Sequence, residues 1–284
     1  MIWLLLVSLV WAFSFGLIKG RLAGIDPSLV ALVRVVLALV VFLPFFRPRG
    51  LRVWDVVALG AIGAVQFGLM YVCYIAAFDT LKAYEVAALT IFTPIFVALL
   101  DGACARRLPF GAFAAAALAV AGAAVIVIDK PLADVSWSGV ALVQGSNLCF
   151  ALGQVAWRRW RQTCPAVKEA QVFALPYLGA TLAALPFALP EVTALPGLTL
   201  HHWLTLAYLG IIASGVCFFL WNFGATRTTA ASLAVANNAK IPLSVACSIW
   251  VFGESGDPGR LLLGGLAIVA AGFLAEWSER RRRG

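Results

Sequence analysis

Charged side chains are scarce in this chain of 284 residues. Lysine, arginine, aspartate and glutamate together make up 12% of the sequence and 63% is apolar, whereas about a quarter of a soluble domain is charged. Uncharged runs recur at 2–18, 110–128 and 261–275, and each approaches the roughly 20 residues that cross about 30 Å of hydrocarbon. This scarcity excludes a soluble enzyme and predicts an all-α membrane protein.

Motifs of catalysis and metal binding are missing as well. The six cysteines form no CxxC pair, and no Walker, HExxH or GxSxG pattern occurs. We therefore predict no metal, no cofactor and no catalytic residue. The first apolar run has no basic residue before it and Lys19 after it, the reverse of a signal peptide, so we expect it to be a membrane span.

Ten membrane spans are predicted when charged and Pro/Gly-rich stretches are taken as the breaks between helices. The spans are centred near residues 10, 37, 65, 92, 119, 147, 179, 213, 239 and 268. Ten spans place both termini on one side of the membrane.

Basic residues indicate which side that is. The predicted inner segments hold fourteen cations: Arg47, Arg49, Arg52, Arg106, Arg107, Arg158, Arg159, Arg161, Lys168, Arg227 and Arg280 to Arg283. The outer segments hold five: Lys19, Arg21, Lys82, Lys130 and Arg260. The positive-inside rule then predicts that both termini are cytoplasmic. The net charge of +8 is explained by this orientation against anionic lipid, so we expect no nucleic-acid partner.

The two halves of the chain resemble each other. An offset of 148 lays Pro94 on Pro242 and Ala88 on Ala236. Two halves of five helices each, residues 1–134 and 135–284, must enter the membrane from opposite sides, which makes an inverted repeat. Such folds place their substrate site near the membrane midplane, beside helices that proline or glycine interrupts.

The paired prolines predict helix breaks beside that site. A proline inside a helix leaves the carbonyl four residues earlier without its amide partner, and those carbonyls belong to Thr90 and Asn238. Inside the hydrocarbon layer, each of these carbonyls must accept a hydrogen bond from protein, water or a solute. The alternative is two kinks that serve only packing.

Lys240 lies near the centre of the ninth predicted span, beside Asn237, Asn238 and Pro242. A charge at the bilayer centre costs at least roughly 2.5 to 3.5 kcal/mol, so it normally faces a partner or a water-filled cavity. We predict that this group donates hydrogen bonds to a solute carboxylate or another electron-rich group. The alternative is that it caps helix carbonyls and joins helices.

Arg34, in the second predicted span, is the other charged residue well inside a span. It lies about two turns from the outer end of its helix. We expect its long side chain to reach the interface in a structural role, with substrate binding as the alternative.

Other polar or aromatic residues could line the same cavity. They are Trp11, Ser14, Gln66, Tyr71, Tyr74, Asn147 and Gln154. Gln66 and Tyr74 share one helical face, as do Asn147 and Gln154. Hydrogen bonding between helices explains any single one of them equally well.

Carboxylates are missing from the predicted span centres. A proton-coupled exporter of cationic drugs usually needs a buried carboxylate that holds either the proton or the cation. This absence disfavours that mechanism.

The order of several short motifs resembles the EamA family of the drug/metabolite transporter superfamily. The motifs are Trp11–Phe15, Arg34, the stretches that end in Pro94 and Pro242, Leu220–Phe223 and Phe252–Glu254. The resemblance covers essentially the whole chain. It implies ten helices in two inverted repeats, a central cavity, and export or exchange of amino acids or related metabolites by alternating access.

These observations predict a secondary transporter in the inner membrane of a bacterium, with the lipid bilayer and a small-molecule substrate, most simply an amino acid, as its partners. One alternative is an exporter of hydrophobic drugs. Another, from a different class, is a non-transporting membrane scaffold or a lipid-processing enzyme. The oligomeric state stays open, because small-residue helix faces serve contacts within one chain or between chains.

Overall fold

The computed structural model describes residues 2–104, 121–122, 125, 135–228, 230–253 and 257–283. Within these ranges the regular structure is helical. The α-helices are α1 (Ile2–Arg21), α2 (Pro27–Phe42), α3 (Val53–Gly63), α4 (Met70–Ala76), α5 (Ala83–Leu89), α6 (Phe92–Cys104), α7 (Trp137–Thr163), α8 (Glu169–Val172), α9 (Ala174–Ala188), α10 (Leu200–Ala207), α11 (Cys217–Ala225), α12 (Ala230–Trp250) and α13 (Pro258–Arg283).

Seven helical stretches of the described residues are long and apolar enough to cross a membrane. They are Trp3–Arg21, Pro27–Phe45, Val53–Asp79, Ala83–Cys104, Trp137–Thr163, Glu169–Gly197 and Leu200–Ala225. Each contains one of the predicted span centres. The centres near 239 and 268 fall in α12 and α13, whereas residue 119 lies outside the described residues. The protein is an integral membrane protein, and the count of ten spans stays a prediction.

The turn between α1 and α2 is built from local capping signals. Gly24 adopts a positive φ of 84°, a conformation that a side chain disfavours. Asp26 then accepts hydrogen bonds from the backbone amides of Ser28 at 2.8 Å and Leu29 at 3.2 Å, and Pro27 occupies the first turn. These are the usual features of a helix start, and they fix where the second span begins.

Two of the long spans contain π-helical segments, which are frequently found at functional sites. Ala64–Leu69 joins α3 to α4, and Tyr208–Val216 joins α10 to α11. The offset of 148 places most of the first segment on the second. Both segments lie against the centre of the bundle, where Gln66 and Ser214 are fully buried.

Two glycines allow α3 and α9 to touch backbone to backbone. A Cβ atom on Gly63 would overlap the backbone of Pro176, and one on Gly179 would overlap the backbone of Gly60. Small residues at such crossings are the usual means of close packing in membranes, where apolar burial gives no net attraction between helices. This contact holds the first and second halves of the chain together.

Candidate functional site

A central cavity lies among the helices of both halves of the chain. Eight of its lining residues belong to the predicted site: Trp11, Ser14, Arg34, Tyr71, Tyr74, Thr90, Asn147 and Lys240. Its volume is about 70 Å³, well below the roughly 300 to 1,000 Å³ of a typical ligand pocket. The structure therefore shows a narrow cavity that must widen to admit a metabolite.

Lys240 reaches this cavity from α12, and the residue is 6% exposed. Its ammonium group donates a hydrogen bond to Asn237 Oδ1 at 2.9 Å and lies 5.3 Å from the centre of the Trp11 ring. An aromatic face attracts a cation through its quadrupole. Two of the three ammonium donors are not used in these contacts, so the group can still bind a solute acceptor.

Arg34 also faces the cavity, and this corrects the expectation that its side chain reaches the membrane interface. The residue is 2% exposed. Its Nε atom donates to Ser214 Oγ at 3.1 Å, and Nη2 donates to the Tyr71 hydroxyl at 2.8 Å. The inward direction follows from the face of α2 that Arg34 occupies: the neighbouring Ala31, Val35 and Ala38 are all buried in the bundle.

A helix break lies at Thr90 and Ile91, between α5 and α6 and just before Pro94. The Thr90 carbonyl accepts a hydrogen bond from the Thr93 amide at 3.1 Å and a longer one from Asn237 Nδ2 at 3.4 Å. Asn147 Nδ2 donates to the Leu89 carbonyl at 2.9 Å. Side chains from the second half therefore satisfy backbone groups that the break in the first half exposes.

The break expected at Pro242 is absent, because α12 is continuous from Ala230 to Trp250. Pro242 is exposed on the outside of the bundle. Its ring removes one amide from the helix, and the helix tolerates that loss as membrane helices commonly do. Asn238 is buried, but it does not line the central cavity.

Three aromatic rings form one wall of the cavity. The ring centre of Trp11 lies 6.5 Å from that of Phe150 and 4.8 Å from that of Phe218, and the last two lie 5.7 Å apart. The Trp11 indole donates to the Ala213 carbonyl at 2.9 Å, which fixes the wall. Trp11 was a predicted residue, whereas Phe150 and Phe218 carry no signal that separates them from the other apolar residues.

Gln66 and Gln154, although predicted as lining residues, lie in a packed layer beside the cavity. Gln66 Nε2 donates to Asn222 Oδ1 at 3.1 Å, and Trp221 Nε1 donates to Gln154 Oε1 at 2.9 Å. All four residues are buried, and none lines the cavity. We call Gln66, Gln154, Trp221 and Asn222 the closed layer.

At the end of the cavity away from the closed layer, the rings of Phe15, Tyr74 and Phe78 touch one another. Their centres are 5.2 to 6.5 Å apart. Beyond them lies a second cavity of about 210 Å³, lined in part by Phe78 and Lys19 near the turn between α1 and α2. This aromatic triad therefore separates the two cavities.

The chemistry of the central cavity is cationic and aromatic. Arg34 and Lys240 line it, and none of its described lining residues is a carboxylate. Nor do the described residues include a cluster of three or more His, Cys, Asp or Glu side chains that could hold a metal. Two buried cations without a fixed counter-charge favour an anionic ligand.

Comparison with known proteins gives consistent results. The model of the EamA-like transporter family matches residues 1–128 and 137–275. A protein named "Probable biotin transporter" from Pseudomonas aeruginosa is 39% identical over 99% of both chains. The "Biotin transporter" of Escherichia coli K12 is 37% identical over 94% of this chain and 90% of its own.

A more distant relative carries a different substrate name. The "Probable terminal-alkyne amino-acid exporter" of Streptantibioticus cattleyicolor is 26% identical over 99% of this chain and 95% of its own. One solved crystal structure has a TM-score of 0.73 at 19% identity, covering 99% of this chain and 98% of that one. At that identity the likeness shows the fold alone.

Proposed function

The chain belongs to the EamA-like transporter family, and we propose that it carries a small carboxylate-bearing metabolite, biotin in the first instance, through the central cavity. Membership confirms the family resemblance seen in the sequence. The relatives named as transporters of biotin and as an amino-acid exporter support a carrier of small metabolites. The observation that carries the proposal is the pair of buried cations facing one cavity.

The charge of the cavity favours biotin over a free amino acid, the substrate expected from the sequence. An amino acid brings an ammonium group as well as a carboxylate, and the described lining residues offer that ammonium no anionic partner. Biotin brings a carboxylate and a neutral ureido group. The hydrophobic cations carried by many drug exporters fit least well, because they would be repelled by Arg34 and Lys240.

The aromatic wall suits the remaining part of such a ligand. Biotin's sulfur-containing ring and aliphatic chain are apolar, and the rings of Trp11, Phe150 and Phe218 offer apolar faces. Polar groups at each end of the ligand would then meet polar groups of the cavity. This combination of an apolar wall and a few placed polar groups is typical of metabolite sites.

The transport cycle that we propose is alternating access. In this proposal residues 1–134 and 135–284 are inverted repeats of five helices, with both termini cytoplasmic in a bacterial inner membrane. The aromatic triad opens the cavity to the outer side, and the closed layer opens it to the inner side. Opening of one barrier at a time moves the substrate without a continuous pore.

Uptake of radiolabelled biotin into proteoliposomes tests the proposed function. We expect uptake above that of protein-free liposomes. Unlabelled biotin should inhibit this uptake more strongly than amino acids do. Lys240→Ala should reduce it by at least about tenfold, since each 1.4 kcal/mol of lost binding is a factor of ten. Lys168→Ala, which removes an exposed lysine, is the matched control. Absence of uptake by the wild-type protein would refute biotin as the substrate.

A further inference from the structure

Arg34 is held in a hydrogen-bond network with Tyr71 and Ser214, and the donor and acceptor of each bond can be assigned. Ser214 Oγ donates its proton to the Leu209 carbonyl at 2.7 Å. It therefore accepts from Arg34 Nε and from the Tyr71 hydroxyl, which lies 2.7 Å away. The Tyr71 oxygen in turn accepts from Arg34 Nη2. Only Nη1 of the guanidinium group, although buried, has no partner in the described structure.

The positive charge of Arg34 has no anionic partner among the described residues either. The described ion pairs of the protein do not include Arg34, and its neighbours Tyr71 and Ser214 are neutral hydroxyls. A guanidinium group keeps its proton in proteins. The network thus positions a permanent cation in the cavity wall. Hydroxyl dipoles and the Tyr71 ring, whose centre lies 4.2 Å from the guanidinium carbon, compensate it without a counter-charge, which leaves a place for an anion.

Lys240 belongs to a different cluster of the cavity wall. It is joined through Asn237 to the Thr90 carbonyl at the helix break, beside Thr93 and Asn147. None of the hydrogen bonds described for this cluster is shared with Arg34, Tyr71 or Ser214. The cavity therefore has two distinct polar sites, with the aromatic wall of Trp11 beside them.

We infer that Arg34 is the residue that binds the carboxylate of the substrate, through Nη1, and that the Lys240 cluster receives its neutral polar end. This inference rests on the proposed function, because it assigns the two ends of the substrate within the same cavity. A planar guanidinium group suits a carboxylate better than an ammonium group does. Arg34 would then determine the preference for acids over their neutral amides.

Pairs of acids and their primary amides test the assignment. The pairs are those of biotin, a short fatty acid, an N-acetylated amino acid and a free amino acid. Their apparent affinities are measured by thermal stabilisation of the purified protein. In the wild type we expect the acid to bind at least about tenfold more tightly than its amide, the factor set by one charge-assisted hydrogen bond.

Three variants, with a fourth as a substitute, separate the role of Arg34 from that of Lys240. Arg34→Gln should reduce the ratio of acid to amide affinity to within about twofold, while Lys240→Gln should weaken both ligands and keep the ratio. Arg49→Gln, which removes an exposed arginine, should change neither. If Arg34→Gln does not fold, Arg34→Lys replaces it. This variant keeps the positive charge but lacks the planar guanidinium group, so we expect a ratio of acid to amide affinity several-fold smaller than in the wild type.

Each outcome has one meaning. A ratio that persists in Arg34→Gln, stays unchanged in Arg34→Lys, or collapses only in Lys240→Gln would overturn the assignment of Arg34. An acid preference that depends on Arg34 in another pair, with neither biotin nor its amide bound, would support Arg34 and refute biotin. If no acid binds better than its amide in the wild type, the assignment of Arg34 is wrong even where biotin is transported. If no ligand binds at all, both proposals fail.

Discussion

The cavity wall and the closed layer are both rows of buried polar residues in the middle of a membrane protein, yet they differ in the charge of the groups that they leave unpaired. In the closed layer, Gln66 bonds to Asn222 and Gln154 bonds to Trp221, side chain to side chain. The buried atoms that remain without a described partner there, Gln66 Oε1 and Asn222 Nδ2, belong to neutral amides. In the cavity wall, Arg34 and Lys240 keep donors for which the described residues provide no acceptor.

This difference separates two uses of polarity in hydrocarbon. Paired amides join helices and leave little for a solute to bind. An unpaired donor on a cation costs more than one on a neutral amide, and it persists where a ligand or water completes it. Substitutions of the paired amides in either region should therefore change stability, whereas substitutions of Arg34 and Lys240 should change transport first. Four experiments can break or sharpen this comparison.

The largest effect is expected for Asn147→Leu in the cavity wall. The change removes the donor to the Leu89 carbonyl and the acceptor of the Thr93 hydroxyl, so two buried groups at the helix break lose their partner. We expect a loss of about 2 to 3 kcal/mol in the free energy of unfolding and a large fall in uptake. Thermal unfolding and proteoliposome uptake measure the two effects.

Gln162→Leu, at an exposed position of the same helix, is the control for Asn147→Leu. An Asn147→Leu protein that unfolds and transports like the wild type would show that the break needs no side-chain partner.

Gly153→Ala should have the next largest effect, in the closed layer. An added Cβ atom would overlap the Gln66 side chain, whereas on Gly145 of the same helix it would meet only Cys73 Sγ at 3.9 Å. Overpacking of this kind costs about 1 to 3 kcal/mol. Gly145→Ala should be neutral or slightly stabilising, because alanine favours the helix. Equal unfolding temperatures for the two variants would contradict close packing at Gly153.

A double-mutant cycle on Gln66 and Asn222 measures the bond between them. Each single change to leucine leaves one buried amide without this partner, and we expect a loss of about 1 to 2 kcal/mol in the free energy of unfolding. The double change should cost less than the sum of the two, with a coupling of about 0.5 to 1 kcal/mol. Strict additivity would show that the pair contributes nothing to the closed layer.

The smallest effect is expected for Ser14→Ala. Ser14 lines the cavity, but its hydroxyl donates to the Val10 carbonyl of its own helix at 2.7 Å, so it offers no free donor to a solute. We expect uptake within about twofold of the wild type and unfolding within about 0.5 kcal/mol. A loss of transport comparable to that of Lys240→Ala would mean that position in the wall, not an unpaired donor, defines the site.

The sequence alone predicts much of the wall but not its pairing. A charge, an amide or a carbonyl freed by a proline is unfavourable inside a span, and this signal leads to Lys240, Asn237, Asn147 and Thr90. The same signal leads equally to Gln66 and Gln154. The sequence shows that a buried amide needs a partner, but it does not show whether that partner is protein or solute. Only three-dimensional contacts separate the two cases.

Other features had no usable signal in the sequence. Phe150 and Phe218 are apolar residues in apolar helices, so nothing marks them as parts of a cavity wall. The direction of Arg34 depends on which face of α2 packs inward, and its distance from the helix end does not reveal this. Pro94 and Pro242 occupy equivalent positions, yet only the first follows a break, since local sequence does not determine how neighbouring helices accommodate a proline.

The most direct test of the account is electron cryomicroscopy of the protein with biotin bound. Because the central claim is that the cavity wall, and not the closed layer, holds the substrate, we expect density for one molecule against Trp11 and Phe150, with the carboxylate at Arg34 Nη1. Density within the closed layer or at the lipid-facing surface, with the central cavity unchanged, would contradict the account.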